Sequence, residues 1–289
     1  MTGLKIKITG INGYLGQLIS QKLRDNQHLV SGVKRELLYG DPAELQNEIK
    51  ECDVLINLAG APVLQRWTSK NKQLIYDSRI TSTLNLVEAV TQMKPEERPL
   101  KFISASAIGI YKSGKIHTEK STDFDTGFVG KVVLDWEKSI NKLPRTVQQN
   151  IFRIGLVLGK NAKTITNLLL PFKLGLGGKI ASGNQPFPFI HELDLVNAFV
   201  WAVEECSASK TFNLVAPQNI NNQDFTKALA KSLHRPAIFP IPEILLKLIF
   251  GKAAILLTHG PAVIPEALLE NNFEFNFPTI ESALSEIIV

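Results

Sequence analysis

ITGINGYLG, residues 8–16, is the stretch that decides the fold. It spaces Gly10, Gly13 and Gly16 three residues apart, between the apolar run LKIKITG (residues 4–10) and a helical pattern from Leu15 to Leu23. Glycines in a strand-to-helix turn permit a tight reversal. They also let backbone amides approach a pyrophosphate at the positive end of the following helix. The pattern predicts a nucleotide-binding turn formed by Gly10, Asn12, Gly13, Tyr14, Leu15 and Gly16. An ordinary glycine-rich connection is the competing explanation, and the strand before and helix after weigh against it.

Outward from this turn, LVSGVKR (residues 29–35) reads as the second strand. NAD binders usually carry an acidic residue about 20 positions beyond the glycines, for the ribose 2′-hydroxyl. Here Lys34 and Arg35 stand nineteen residues after Gly16, with Glu36 next. Two adjacent cations suit a 2′-phosphate, with Arg35 able to grip it as a fork, so NADP(H) is the expected cofactor; a basic surface loop is the plainer alternative.

The pattern then alternates. DVLINLAG (53–60), PLKFISASAIGIY (99–111) and NIFRIGLVLG (150–159) read as strands, and 69–92 and 129–143 as helices. Such alternation predicts an α/β, Rossmann-like doubly wound parallel sheet. KLGLGGKIASGNQPFPF (173–189) is irregular by composition, ELDLVNAFVWAVEE (192–205) is amphipathic, and TFNLVA (211–216) is a short strand. From Pro236 onward come six prolines and several apolar turns. The expected organisation is a nucleotide-binding domain over 1–160, with 189–216 returning to it. A smaller mixed substrate or cap region would take 161–188 and 217–289, ending in the proline-rich segment 236–289. The face of Ile244, Leu245, Leu248 and Ile249 is expected to be buried there.

Composition sets outer limits. With 289 residues, 44% hydrophobic and 20% charged, the chain is neither disordered nor fibrous and is long enough for about two domains. Its two cysteines, Cys52 and Cys206, form no disulfide framework, which favours a reducing compartment. The longest apolar candidate, residues 244–257, is broken by Lys247, Gly251 and Lys252, and the N-terminus lacks a signal-peptide core. A cytoplasmic protein without a membrane partner is expected. Residues 240–289 hold two lysines and six glutamates, so the net charge of +5 splits into −4 there and +9 in the body. A basic body favours an anionic ligand, or is simply a mixed surface. No arginine-rich stripe with interleaved aromatics points to nucleic acid. His28, His117, His234 and His259 are scattered without ligand spacing, so no metal is expected.

The glycine turn, SASAIGIY (104–111) and FIHELDLVNA (189–198) resemble extended short-chain dehydrogenases/reductases, the NAD-dependent epimerase/dehydratase superfamily. NLAGAPVLQRWTSKNKQLIYDSRITST (57–83), LDWE (134–137), RIGLVLG (153–159), PFKLGLGG (171–178) and the proline-rich tail are similar to its epimerase-family, nucleoside-diphosphate-sugar-epimerase-like subgroup, which ends in a C-terminal domain of unknown function. The resemblance spans essentially the whole chain. It implies an NADP-binding oxidoreductase or epimerase-like protein. A nucleotide sugar or another small carbonyl or hydroxyl compound would be its substrate. A homodimer is left open. It places Leu58, Ala59 and Gly60 beneath the adenosine-ribose portion, Arg79 as a polar contact beside the cofactor, and Gly155 and Leu156 on the nicotinamide side. A helix-surface role is the alternative for Arg79.

The resemblance also implies a catalytic Ser/Thr and a Tyr-x-x-x-Lys pair, in which the lysine lowers the tyrosine's pKa. Ser106 fits the serine, with Ser104 competing and a purely local hydrogen-bonding role as the alternative. Counting back eight and four residues from Glu137 gives Val129 and Val133, so the pair is missing where it is expected. A literal match, Tyr111 to Lys115, falls only five residues after Ser106, and Gly114 disfavours the helix it needs. Tyr111 still follows the serine strand and is retained as a catalytic candidate. Lys131, one turn before Asp135, is a further candidate more simply read as half of a surface salt bridge with it, and Glu119, Asp123 and Asp125 are candidates each more simply read as a solvated carboxylate. His191 matches the family position where a loop returns to the core, and Asp194 caps or begins a helix. A non-catalytic NADP(H) sensor that kept the fold and lost the engine is the alternative function.

Overall fold

The computed structural model describes residues 3–288. In chain order its first half runs β1 (Lys5–Thr9), α1 (Tyr14–Asp25), β2 (Leu29–Val33), α2 (Pro42–Ile49), β3 (Val54–Asn57), α3 (Ser69–Asp77), α4 (Ile80–Gln92), β4 (Lys101–Ala107), β5 (Ile116–His117), α5 (Phe128–Ile140) and β6 (Gln148–Ile154). The second half runs β7 (Leu156–Leu158), α6 (Lys163–Lys173), β8 (Phe189–His191), α7 (Glu192–Glu204), β9 (Lys210–Leu214), α8 (Asn222–Ser232), α9 (Glu243–Phe250), α10 (Ile255–Thr258), β10 (Ala262–Val263), α11 (Glu266–Glu270) and α12 (Ile280–Ile287).

Six of these strands form a parallel sheet in the order β2-β1-β3-β4-β6-β9. The order reverses between β1 and β3, and an open α/β sheet binds ligands outside the carboxyl ends of the strands at such a switch point. The α/β, Rossmann-like expectation holds. Both faces of the sheet are covered. Ile19 and Leu23 of α1 and Leu195 and Phe199 of α7 pack on one side, against Ile8, Phe152 and Phe212. Leu45, Leu86, Val90 and Trp136 from α2, α4 and α5 cover the other, against Leu55 and Phe102. Burying both faces explains why β3 is buried at every residue, and apolar from Val54 to Ile56, rather than alternating. Each fully buried phenylalanine or leucine contributes about 1.5–3 kcal/mol.

A smaller core lies apart from the sheet. Phe187, Phe189, Phe225, Leu229, Ile280 and Leu284 gather there from β8 and the chain just before it, α8 and α12. Capping boxes at Asn221 and Thr279 start those two helices. The β10 strand pairs with β5 and stays outside the main sheet.

Several expectations need correction. Residues 69–92 form two helices, not one. Ser78 bonds the Ala61 amide and the Ile75 carbonyl, and Arg79 donates to Ala61 and Ile75 carbonyls, which breaks the helix at the turn between them. NIFRIGLVLG is likewise two strands. A Cβ on Gly155 would stand 2.5 Å from the Pro188 carbonyl oxygen. The chain leaves the main sheet at that point, and β7 pairs with β8 instead. Helices α2, α6 and α8 are absent from the sequence reading: α2 is only eight residues long, Pro171 interrupts α6, and α8 is a short amphipathic helix that its capping box at Asn221 could have revealed. On α9, Ile244, Leu245, Leu248 and Ile249 are 69%, 45%, 65% and 51% exposed, and Leu246 is the residue it buries. An eight-residue helix needs one buried anchor to dock, and its remaining apolar side chains lie outside the core.

Candidate active site

Backbone conformation and close contacts make the glycine turn tight. Gly10 has φ +70°, a conformation that side chains disfavour, and its amide-to-carbonyl turn is closed by Gly13 N–H at 2.9 Å. A Cβ on Gly16 would lie 2.3 Å from the Gly10 oxygen and 2.7 Å from that of Ile11. Gly13 caps α1 without any side-chain cap, so the first amides of the helix, at Tyr14, Leu15 and Gly16, remain available to an anion. Asn12 is exposed beside them, and Tyr14 turns its hydroxyl to the Glu192 carboxylate. Burial keeps the Glu192 pKa above the usual carboxylate range.

At the end of β2, Lys34 and Arg35 are exposed, and neither side chain has an ion-pair or hydrogen-bond partner among the described residues. Across the switch point, Thr9 Oγ1 accepts from the Leu58 and Ala59 amides at 3.1 and 3.2 Å and donates to Asn57 Oδ1 at 2.7 Å. Asn57 in turn donates to Thr83 Oγ1 at 2.9 Å, which also takes the Trp136 indole N–H. These bonds fix the chain at Leu58, Ala59 and Gly60.

Those three residues line a cavity of about 190 Å³ with Arg79, Ser106, Val129, Val133 and Ile154. A Cβ on Gly60 would meet the Arg79 guanidinium at 3.0 Å. Arg79 lies over Trp136 with 5.3 Å to the ring centroid and has no carboxylate partner among the described residues. Burial pulls its pKa down to about 10. A half-buried guanidinium with carbonyls for company and no counter-charge is set to receive an anion or a polar ligand.

Ser106, at the end of β4, is 3% exposed and donates to Glu137 Oε1 at 2.6 Å. Glu137 is held from behind by Arg153 in a fork, at 2.8 Å to Oε1 and 2.6 Å to Oε2. Arg153 also donates to the Tyr111 hydroxyl at 2.7 Å, and that hydroxyl donates to Asn213 Oδ1 at 2.8 Å. Burial opposes the Arg153 charge, but Glu137 and Tyr111 outweigh it and raise the pKa above the ordinary guanidinium value. In the sequence Glu137 serves only as a landmark for the missing pair, and Arg153 lies within the strand NIFRIGLVLG. No local pattern reveals a pair that meets across sixteen residues.

The structure therefore brings Leu58, Ala59, Gly60, Arg79 and Ser106 to one cavity and leaves other candidates outside it. Tyr111 is 2% exposed, stacked on His117, and bonded within the network; burial raises its pKa. Lys115 pairs with Asp123 at the surface. Ser104 is buried and bonds its neighbour's carbonyl. Ile154 lines the cavity, whereas Gly155 and Leu156 turn away into β7. Val129 and Val133 both face the cavity from α5.

Lys131 does not pair with Asp135, which takes Lys138 instead. Asp125 caps the turn at the Gly127 amide. Glu119 is not solvated: it accepts from the Asn213 and Ala267 amides at 2.7 and 3.2 Å, and burial raises its pKa. The α7 cap is His191, which accepts from the Leu193 amide, while Asp194 holds the Asn276 and Phe277 amides of the C-terminal segment.

A family model described as the NAD dependent epimerase/dehydratase family matches residues 6–215, and a domain of unknown function (DUF1731) matches residues 241–287. The mouse epimerase family protein SDR39U1 is 32% identical, covering 99% of this chain and 100% of its own. The Bacillus subtilis epimerase family protein YfhF is 31% identical over 99% of this chain and 98% of its own. The crystal structure of the human epimerase family protein SDR39U1 (isoform 2) with NADPH superposes with a TM-score of 0.91, at 31% identity and 99% coverage of both chains. Among the described residues no helix is long and apolar enough to cross a membrane.

Proposed function

The chain belongs to the NAD dependent epimerase/dehydratase family, and from that premise we propose that it is an NADP(H)-dependent oxidoreductase or epimerase-like enzyme acting on a small hydroxyl or carbonyl compound. The observation that carries the reading is the uncapped N-terminus of α1 beside two unpaired cations at the end of β2. The glycine turn would hold the pyrophosphate, and Lys34 and Arg35 the 2′-phosphate. Leu58, Ala59, Gly60 and Arg79 would line the remainder. The human relative crystallised with NADPH supports the same assignment. Bound there, a nicotinamide supplies hydride exchange at a carbon bearing a hydroxyl or carbonyl.

The residues around the cavity define what the chain itself adds. Ser106 gives its proton to Glu137, which as a carboxylate only accepts. The serine oxygen therefore faces the cavity with lone pairs and is suited to accept from a substrate hydroxyl. Val129 and Val133 offer no proton donor and no cation for a ribose. A nucleotide sugar is the substrate class that the resemblance implies. The apolar α5 face favours a second reading, a non-catalytic NADP(H)-binding protein.

Titrating the protein with NADPH and NADH tests the cofactor assignment: NADPH should bind more tightly, and equal curves would sink it. Single-turnover hydride transfer with a panel of carbonyl compounds then separates enzyme from binding protein.

A further inference from the structure

Beyond this cavity lies a groove of about 760 Å³ between the sheet-bearing body and the C-terminal segment. Among the described residues none lines both concavities, but two residues of the groove, Trp67 and Phe128, whose rings meet edge-on at 5.1 Å, connect to residues of the inner cavity. Trp67 bonds the carbonyl of Val63, which lines the inner cavity, and Phe128 precedes Val129, which does the same. Arg66 donates to the Leu248 and Ile249 carbonyls at the end of α9. A cation at that negative helix end ties the Trp67 loop to the opposite wall.

The groove's walls are apolar at Trp67, Phe128, Ala254 and Ile255, and its charges do not cancel. Lys247 is matched by Glu243 at 2.8 Å. Lys72 sits 5.1 Å over the Phe128 ring, and Lys252 comes from the other wall. Neither has a carboxylate partner among the described residues. The one hydroxyl among the described residues of the groove's lining, that of Thr258, is already taken by the Ala254 carbonyl and His259, so what remains to meet a ligand there is charge and apolar carbon.

Resting on the NADP(H) reading above, we propose that the groove takes an amphipathic organic anion as substrate, with a flat apolar body against Trp67 and Phe128 and a carboxylate or phosphate between Lys72 and Lys252. A cationic head clamp over an aromatic floor recognises that chemistry, whereas a sugar would leave its hydroxyls against apolar carbon.

The test is calorimetry on the full chain saturated with NADPH, using 2-naphthoate, its neutral isostere 2-naphthamide, and UDP-glucose. The naphthoate should bind about tenfold more tightly than the amide, as one charge-assisted contact allows. The double variant Lys72→Met/Lys252→Met should close that gap without weakening the amide, and Trp67→Leu should weaken both. Equal affinities, a naphthoate affinity unchanged in the double variant, or tighter binding of UDP-glucose would overturn the proposal. NADPH titrated beforehand separates the two failures. A chain that binds no NADPH contradicts the cofactor reading, while one that binds NADPH without preferring the anion contradicts only the groove.

Discussion

The two halves of the site are built from different material. The half at the carboxyl ends of β1 and β2 is backbone and exposed charge: three glycines, an open helix end, and Lys34 with Arg35. The half under β4 and α5 is a buried side-chain network, Ser106–Glu137–Arg153–Tyr111–Asn213, beside an apolar valine face. Backbone groups and surface cations bind an anion whatever happens to the buried network, so cofactor binding can persist while the catalytic apparatus changes. The difference teaches that cofactor affinity and fold stability should separate cleanly under mutation.

The largest effect should come from the network. Arg153→Leu leaves Glu137 buried without its cation, which costs about 3–5 kcal/mol. Urea denaturation should show it, and the double variant Glu137→Leu/Arg153→Leu should recover much of the loss. A single variant as stable as the parent would mean that the pair is not the buttress its geometry suggests.

Next is the cofactor half. Arg35→Ala should remove most of the preference for NADPH over NADH, by about 1.5–3 kcal/mol, or roughly 10- to 150-fold. Because Arg35 is exposed, solvent screening favours the lower part of that range. Its urea midpoint should stay where it was. A variant that loses stability but keeps its cofactor preference would dissolve the distinction between the halves.

The same division explains what was legible in the sequence. The glycine turn, the cations after β2 and the valines at 129 and 133 are local patterns with fixed spacing, and the structure puts the turn at the switch point and the valines on the cavity. Arg79 lies at a helix break produced by Ser78 and Ala61, which helical periodicity across 69–92 conceals. Glu137 on α5 meets Arg153 on β6, and Tyr111 beyond β4 meets Asn213 on β9, only once the strands have paired in parallel and α5 has packed on the sheet. Those contacts carry no sequence spacing at all. The tail misleads in a different way, because the apolar face of Ile244, Leu245, Leu248 and Ile249 reads as buried while α9 docks through Leu246.

Smaller still is the effect of the literal Tyr-x-x-x-Lys match. Tyr111→Phe removes a hydroxyl from between Arg153 and Asn213, at a cost of about 1–3 kcal/mol in stability. NADPH affinity should not change. Lys115→Ala, which breaks only an exposed pair with Asp123, should be silent in both measurements. If Tyr111→Phe left stability intact but abolished turnover, the tyrosine would be a proton donor and the network reading would fail.

The smallest expected effect is a pH slope at the seam between the halves and the C-terminal segment. His191 caps α7 and faces Glu286 at 3.1 Å. Burial lowers its pKa, and Glu286 offsets this only in part. An unfolded histidine titrates at about 6.5. As pH falls below that value the unfolded chain takes a proton that the folded ring resists, so stability is fully present above it and drains away through the window below. Buried Glu119 and Glu192 work in the opposite sense, since their raised pKa values favour the fold as pH falls, but they act in the carboxylate range. Urea midpoints measured from pH 7.5 down to 5.5 should therefore fall. His191→Asn keeps a side chain that can accept at the helix start, and it should flatten that slope while leaving NADPH binding at pH 7.5 unchanged. A slope that survives the substitution would assign the titration to another group and remove His191 from the seam's pH response.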